Sequence, residues 1–144
     1  MKNNIAKFVL VFLCSTMALC IHAQTISVSS LIDTKWECEK GDGDKEILEF
    51  RKDSLIRTLI FTIINKAPRM SYPYYLSNDK SAEFDMKKVG RSTSVKYLFE
   101  WNTKMNDKNC CKITSLTKDT LVLYWEPKPF NVGGGGKWTY VRVR

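Results

Sequence analysis

Histidine is almost missing from this 144-residue chain. Its single copy, His22, falls in an amino-terminal segment that has the parts of a secretory signal. Two lysines precede an apolar stretch from Phe8 to Ile21, and Ala23 supplies the small residue that a signal peptidase requires. We therefore predict a signal peptide over residues 1–23 and export to the periplasm, the cell surface or the extracellular space.

Cleavage of this signal peptide would remove His22, and the absence of histidine excludes several kinds of catalysis from the exported part. A Ser-His-Asp triad and a Cys-His nucleophile both need an imidazole base. The run from Gly133 to Gly136 followed by Lys137 lacks the Ser or Thr and the helix of a phosphate-binding loop. Two carboxylates facing one cleft can hydrolyse glycosides, but carboxylates on strands are more typical of a solvated outer face. The strand carboxylates are Glu37, Glu39, Glu46, Glu49, Glu100 and Glu126. We predict a protein that is not an enzyme and that binds no cofactor.

Long apolar runs are also lacking after Gln24. The longest, Leu59 to Ile64, is interrupted by Thr62 and is far shorter than the roughly 20 residues of a membrane-spanning helix. We predict no transmembrane segment. A lipid anchor at Cys20 is the alternative to simple cleavage after Ala23, but Leu19 stands where a lipoprotein signal has a small residue.

Cysteine is scarce in the exported part, where only Cys38, Cys110 and Cys111 remain. In an oxidising compartment three cysteines permit one internal disulfide and leave one thiol. We predict a bridge from Cys38 to Cys110 or Cys111; the alternative is that all three are reduced and buried as packing residues. A metal site is not expected, because histidine and a Cys-x-x-Cys pair are both absent.

Charge of one sign is never concentrated in a block, although basic residues are in excess. The chain has 23 Lys and Arg against 15 Asp and Glu, for a formal net charge of +8. The charges are scattered along the predicted strands, which is typical of a solvated surface. We therefore predict no nucleic-acid partner.

What the chain does contain is a series of short β-rich runs separated by turn residues such as Gly41-Asp42-Gly43-Asp44. The pattern predicts one all-β domain over residues 24–144, an all-antiparallel barrel or sandwich of eight or nine strands. The nine candidate strands are Trp36–Glu39, Glu46–Arg51, Leu55–Ile64, Tyr72–Leu76, Ala82–Lys87, Val95–Asn102, Lys112–Leu116, Thr120–Glu126 and Trp138–Arg144.

Aromatic residues are abundant and recur at alternate positions. In the run from Val95 to Trp101 the alternation places Tyr97, Phe99 and Trp101 on one face, which we predict to be the inner one, and Lys96 and Glu100 outside. An inward aromatic lining suits a small apolar or amphipathic ligand, and the alternative is a core filled by these side chains. The predicted ligand-binding residues are Tyr72, Tyr74, Tyr97, Phe99, Trp101, Leu123, Trp125 and Tyr140.

Two short motifs give the chain a family resemblance. Thr34-Lys35-Trp36 on the first strand resembles the Gly-x-Trp of lipocalins, with Thr34 in place of glycine, and Arg142 on the last strand resembles the arginine of their closing strand. The resemblance implies a lipocalin-like barrel, like those of small secreted proteins of Bacteroidetes-type bacteria. It also implies that the Arg142 guanidinium stacks on Trp36 and joins the first strand to the last.

Two functions fit these observations. The first is an exported binding protein that holds a small apolar or amphipathic ligand inside a lipocalin-like barrel. The second is an interaction or inhibitor module that contacts a protein or a glycan through loops at the open end of the barrel, at Asn65–Arg69 and Pro127–Lys137. The sequence leaves the ligand, the partner and the oligomeric state open.

Overall fold

The barrel predicted from the strand pattern is confirmed by a computed structural model that describes residues 27–80, 83–127 and 135–144. Its eight strands are antiparallel, each pairs with the next, and β1 also pairs with β8, so the sheet closes on itself. This architecture is compatible with a lipocalin-like fold. The strands are β1 (Thr34–Gly41), β2 (Asp44–Phe50), β3 (Ser54–Ile60), β4 (Arg69–Ser77), β5 (Tyr97–Asn102), β6 (Asp107–Leu116), β7 (Thr120–Trp125) and β8 (Gly136–Val143).

Two strand predictions were wrong in detail. The candidate strand at Ala82–Lys87 is not a strand over its described part, where Met86–Lys88 forms a 3-10 turn capped by the side chain of Asp85. The third strand ends at Ile60 because residues 62–65 form a turn. The predicted signal peptide with Cys20, and residues 128–134 of the loop before β8, lie outside the described residues. Within the described ranges, no helix is long and apolar enough to cross a bilayer.

The barrel has two different ends because successive strands alternate in direction. The connections β1–β2, β3–β4 and β5–β6 lie at one end, which we call the open end; β7 ends and β8 begins at the same end, where Trp125 pairs with Gly136. The other end, the closed end, receives the start of the domain, where a 3-10 turn at Val28–Ser30 leads into Leu31. Leu31 is fully buried and Val28 packs against the core, so this segment covers the closed end.

The closed half of the barrel is filled by apolar side chains. Phe50 and Tyr74 meet edge to face with ring centroids 5.6 Å apart, and the Tyr74 hydroxyl donates to the Arg51 carbonyl at 2.5 Å. The other fully buried side chains of the core include Trp36, Leu48, Leu55, Leu76, Leu98, Leu121 and Leu123. A filled core, one of the two alternatives left open by the sequence, is therefore what this half contains.

The first and last strands meet through the pair that the resemblance implies. Trp36 and Arg142 are Cα partners across β1 and β8, and the guanidinium carbon lies 5.8 Å from the Trp36 ring centroid. The Trp36 indole donates to Thr34 Oγ1 at 2.6 Å, and the Thr34 hydroxyl donates to the Leu31 carbonyl. This chain of contacts connects the closing strand to the segment that covers the closed end.

The predicted orientation of β5 was wrong. Leu98 and Glu100 are the residues on the inner face, where they pair with inward residues of β4. Tyr97, Phe99 and Trp101 therefore lie on the outer face, because successive side chains of a strand point to opposite faces.

These outward aromatic side chains are covered by the connection between β4 and β5. Phe99 stacks on Tyr75 with ring centroids 4.8 Å apart. Phe84, from that connection, packs 5.2 Å from Tyr75 and 5.8 Å from Trp101. We call Tyr75, Phe84, Phe99 and Trp101 the outer aromatic cluster. Because these rings cover one another, large apolar residues can occupy the outer face of the barrel.

Candidate functional site

The open half of the barrel differs from the closed half because charged side chains point into it. Arg57 of β3 lies between Glu46 of β2 and Glu100 of β5; one guanidinium nitrogen donates to Glu46 and the other donates to Glu100 Oε2 at 2.8 Å. Glu46 and Glu100 are 1% and 5% exposed. Carboxylates so deeply buried require a paired cation, and Arg57 supplies it to both.

A second cation, Lys40, completes this arrangement. Glu46 Oε2 accepts from the Lys40 ammonium at 2.6 Å and from the Tyr140 hydroxyl at 2.7 Å. The Lys40 ammonium also lies 3.5 Å from the ring centroid of Trp138, which is cation–π geometry. We call Lys40, Glu46, Arg57 and Glu100 the charge cluster; its two positive and two negative side chains balance.

Burial and neighbouring charges determine the protonation states of Glu46 and of Tyr140, which donates to it. Burial opposes ionisation of Glu46, but the charges of Arg57 and Lys40 outweigh it and lower the pKa of this carboxyl below its usual range. Burial, reinforced by the Glu46 carboxylate, raises the pKa of Tyr140. At neutral pH Glu46 is therefore an ionised acceptor and Tyr140 a protonated donor.

One donor of the cluster, on Arg57, has no acceptor among the residues that the structure describes. Arg57 Nε is buried and has no hydrogen-bond partner among the described residues, while the Trp125 ring centroid lies 5.5 Å from the guanidinium carbon. A buried donor without a partner costs about 1–3 kcal/mol.

A cleft opens in the wall of the barrel between β4 and β5, beside sheet neighbours of this cluster. The ladder between β4 and β5 begins at Tyr74 and Glu100, so the first residues of β4 are paired with β3 alone. Pro73, at the point where this ladder stops, has no N–H to donate. The opening forms a cleft of about 440 Å³ whose lining includes Met70, Tyr72, Asn102 and Met105. This volume is that of a small-molecule site.

The cleft and the charge cluster adjoin through neighbours in the sheet. Met70 is the Cα partner of Arg57, and its sulfur accepts from the Tyr72 hydroxyl at 3.0 Å. Asn102 lies two residues beyond Glu100, on the same face of β5. The cleft therefore lies on the side of Arg57 that faces Met70 and Tyr72.

The predicted ligand-binding residues divide into three groups in the structure. Tyr72 lines the cleft, and Trp125 and Tyr140 contact the charge cluster. Tyr74 and Leu123 are fully buried in the core. The remaining three, Tyr97, Phe99 and Trp101, lie on the outer face, so an inward ligand lining at these positions is excluded. Ligand contact by the first two groups stays a prediction.

The sequence analysis did not predict the charge cluster, although the spacing of charged and apolar residues in β2 and β3 indicates it. Arg57 lies two residues from both Leu55 and Leu59, and Glu46 lies two residues before Leu48, which is followed by Phe50 at the same spacing. Alternate residues of a strand share a face. These charges therefore had to point the same way as buried apolar neighbours.

The predicted disulfide is contradicted by the structure, in which Cys38, Cys110 and Cys111 are free. Cys38 and Cys111 are buried on β1 and β6, two strands that are not neighbours in the wall, and Cys110 is on the opposite face of β6 from Cys111. Burial raises the pKa of Cys110 to about 11 and that of Cys111 well above its usual value. The described residues include no group of three or more His, Cys, Asp or Glu placed to hold a metal ion.

Thiol labelling tests this correction. We expect Cys38, Cys110 and Cys111 to resist iodoacetamide at pH 7 in the folded protein, because burial suppresses the reactive thiolate. After unfolding in guanidinium chloride without a reductant, peptide mapping should show all three alkylated. A mass that shows two of them still joined after unfolding would restore the disulfide.

Searches against protein-family models, curated proteins and solved structures find no match for this chain. A function for it is therefore inferred from the geometry of the barrel.

Proposed function

We propose that this chain is an exported, lipocalin-like binding protein without enzymatic activity, and that it holds a small amphipathic molecule in the open half of its barrel. One observation carries the proposal: a cleft of about 440 Å³ is lined by Met70, the Cα partner of Arg57, whose buried Nε donor has no partner among the described residues. The ligand's apolar part occupies the cleft, and an oxygen acceptor on the ligand receives the Arg57 Nε–H.

The lining of the cleft supports an amphipathic ligand. Met70 and Met105 present flexible, polarisable side chains that adapt to hydrocarbon, and Tyr72 adds an aromatic face. Asn102 supplies an amide at the same opening. Because the closed half is filled by the core, the ligand is confined to the open half, which favours a short molecule with one polar end.

Export is supported by the signal sequence predicted over residues 1–23. A small binding barrel outside the cytoplasm would encounter ligands in the periplasm, at the cell surface or in the medium. Family membership in the lipocalin-like group is supported by the eight-stranded antiparallel barrel and by the contact between Trp36 and Arg142.

Exposed apolar residues at the open end favour a second candidate function. Ile63 and Ile64, in the turn after β3, are 83% and 58% exposed, and Met105, in the turn after β5, is 77% exposed. Such residues at loop tips are suited to contact a protein partner. Changing Ile63 and Ile64 to Ser would weaken that contact and leave small-molecule binding unchanged, so the double variant separates the two functions.

Filling the cleft tests the first function. We expect wild-type protein to bind 1-octanol in isothermal titration calorimetry, and Met70→Trp to weaken the binding at least ten-fold because the larger side chain occupies the ligand's volume. Met86→Trp is the matched control, since Met86 is 54% exposed in the connection at the closed end. No heat from 1-octanol with wild-type protein, or equal loss in the two variants, would contradict the proposal.

A further inference from the structure

We propose that the site occupied by the Lys40 ammonium is an exchangeable cation site, and that the barrel binds organic ammonium ions there when Lys40 moves away. This inference rests on the proposed function for the place of the ligand, the same open half, but the polar contact is a different one: the ligand's ammonium group donates to Glu46 and does not use the Arg57 Nε donor. The site consists of Glu46, Trp138 and Tyr140, and we call it the ammonium site.

The geometry around Lys40 is that of a receptor for an ammonium group. Its nitrogen lies 2.6 Å from Glu46 Oε2, 3.5 Å from the centroid of the Trp138 ring and 5.6 Å from that of Tyr140. A carboxylate combined with aromatic faces is how proteins recognise alkylammonium ligands. The chain's own lysine thus fills a site whose chemistry suits a foreign amine.

Lys40 is the member of the charge cluster whose side chain can move into solvent. Its side chain is 24% exposed, and it is the last inward residue of β1 before the turn at the open end, where the register shifts between Glu39 and Gly41. A lysine side chain is a flexible four-carbon stem with a charge that water solvates well. Arg57, in contrast, is held by two carboxylates and stays in place.

Charge balance then selects the class of ligand. With Lys40 in solvent, two carboxylates, Glu46 and Glu100, face the single positive charge of Arg57, and the buried cluster carries one uncompensated negative charge. An anionic ligand would add to this imbalance, and a neutral one would leave it. An organic ammonium ion restores neutrality by donating to Glu46 and packing on Trp138.

The experiment compares three eight-carbon probes that differ only in their head group: octylammonium, 1-octanol and octanoate. An alkylamine is protonated at pH 7, as lysine is. We expect Lys40→Met to bind octylammonium at least ten-fold more tightly than wild type, because the competing ammonium has been removed, while octanoate binds no more tightly. Lys45→Met is the matched control, since Lys45 lies just beyond the same turn and pairs at 2.7 Å with Glu37 outside the cluster; it should leave all three affinities unchanged.

A second variant keeps the inference testable if Lys40→Met folds poorly. Trp138→Leu removes the aromatic face and is expected to weaken octylammonium about five-fold relative to 1-octanol, in line with cation–π energies. Binding of 1-octanol with no gain for octylammonium in Lys40→Met, or with equal weakening of both probes in Trp138→Leu, would overturn the ammonium site and leave the proposed function intact. Failure of all three probes to bind would overturn both.

Discussion

Replacing Arg57 with methionine is expected to lower the free energy of unfolding at pH 7 by about 3–5 kcal/mol, the cost of breaking a buried ion pair by removing one partner. Arg57 is the only cation that contacts both Glu46 and Glu100 among the described residues. Without it, Glu100 loses that partner and Glu46 retains Lys40 and Tyr140. Urea unfolding followed by tryptophan fluorescence measures the difference.

The sign of the pH dependence distinguishes this mechanism from a simple loss of packing. In wild type the pKa of Glu46 is lowered on folding, since the charges of Arg57 and Lys40 outweigh burial. Its contribution is therefore present above the unfolded value of about 4.3 and is lost as pH falls through the folded pKa. In Arg57→Met the carboxyl of Glu46 loses the charge that does most to lower its pKa, so this pKa is higher in the variant than in wild type and the variant loses less stability on acidification. The gap between wild type and variant should therefore narrow as pH falls from 7 towards about 4, where Glu46 becomes protonated in the variant before it does in wild type.

Arg69→Met is the matched control for the Arg57 variant. Arg69 pairs with Glu49 at 3.2 Å, but its side chain is 59% exposed. An exposed pair of this kind contributes at most about 1 kcal/mol, so the control should unfold close to wild type at both pH values. A cost for Arg57→Met that does not change with pH would show that the charges of Glu46 and Glu100 are not what the arginine stabilises.

Replacing Trp36 with alanine is expected to lower the free energy of unfolding by about 3–5 kcal/mol, as for other fully buried large aromatic residues. The side chain is 0% exposed, its indole donates to Thr34, and Arg142 packs on its ring. The substitution removes core volume and also the contact through which β8 closes on β1. Tyr124→Ala, at a residue that is 38% exposed on the outer face, should cost much less.

A double-mutant cycle isolates the contact between Trp36 and Arg142. Arg142→Ala alone should be milder than Trp36→Ala, because Arg142 is only partly buried. The two effects should not add, since the residues touch, and the coupling should be about 0.5 kcal/mol or more. Strict additivity would mean that the stacking contributes nothing to closing the barrel.

The strand pattern predicted the barrel well because alternation and turn residues are local signals. Asp42 and Gly43, with φ of 52° and 79°, occupy the turn that their residue types favour. The predicted contact between Trp36 and Arg142 is present, since it depended on two motifs at the ends of one continuous meander. Buried charges at Arg57 and Glu46 followed from the same alternation and were missed only because charge was equated with exposure.

The inner face of β5 could not be predicted in the same way. Tyr97, Phe99 and Trp101 form a more apolar set than Leu98 and Glu100, so a rule that places the more apolar face inside chooses wrongly. What reverses the choice is Phe84, which lies on a separate connection and covers Phe99 and Trp101 from outside through the outer aromatic cluster. That contact is tertiary, and no periodicity within β5 reports it.

Closure of the sheet between β1 and β8 also determines the order in which the molecule can fold. Every other strand pair joins neighbours along the chain. The pairing of β1 with β8, which brings Trp36 to Arg142, forms only after nearly the whole domain is available. Contacts so distant in sequence slow folding, and until β8 arrives both β1 and β7 present unpaired edges that can recruit other chains. A carboxy-terminally shortened chain that lacks β8 would therefore keep both edges of the sheet open and be prone to aggregation.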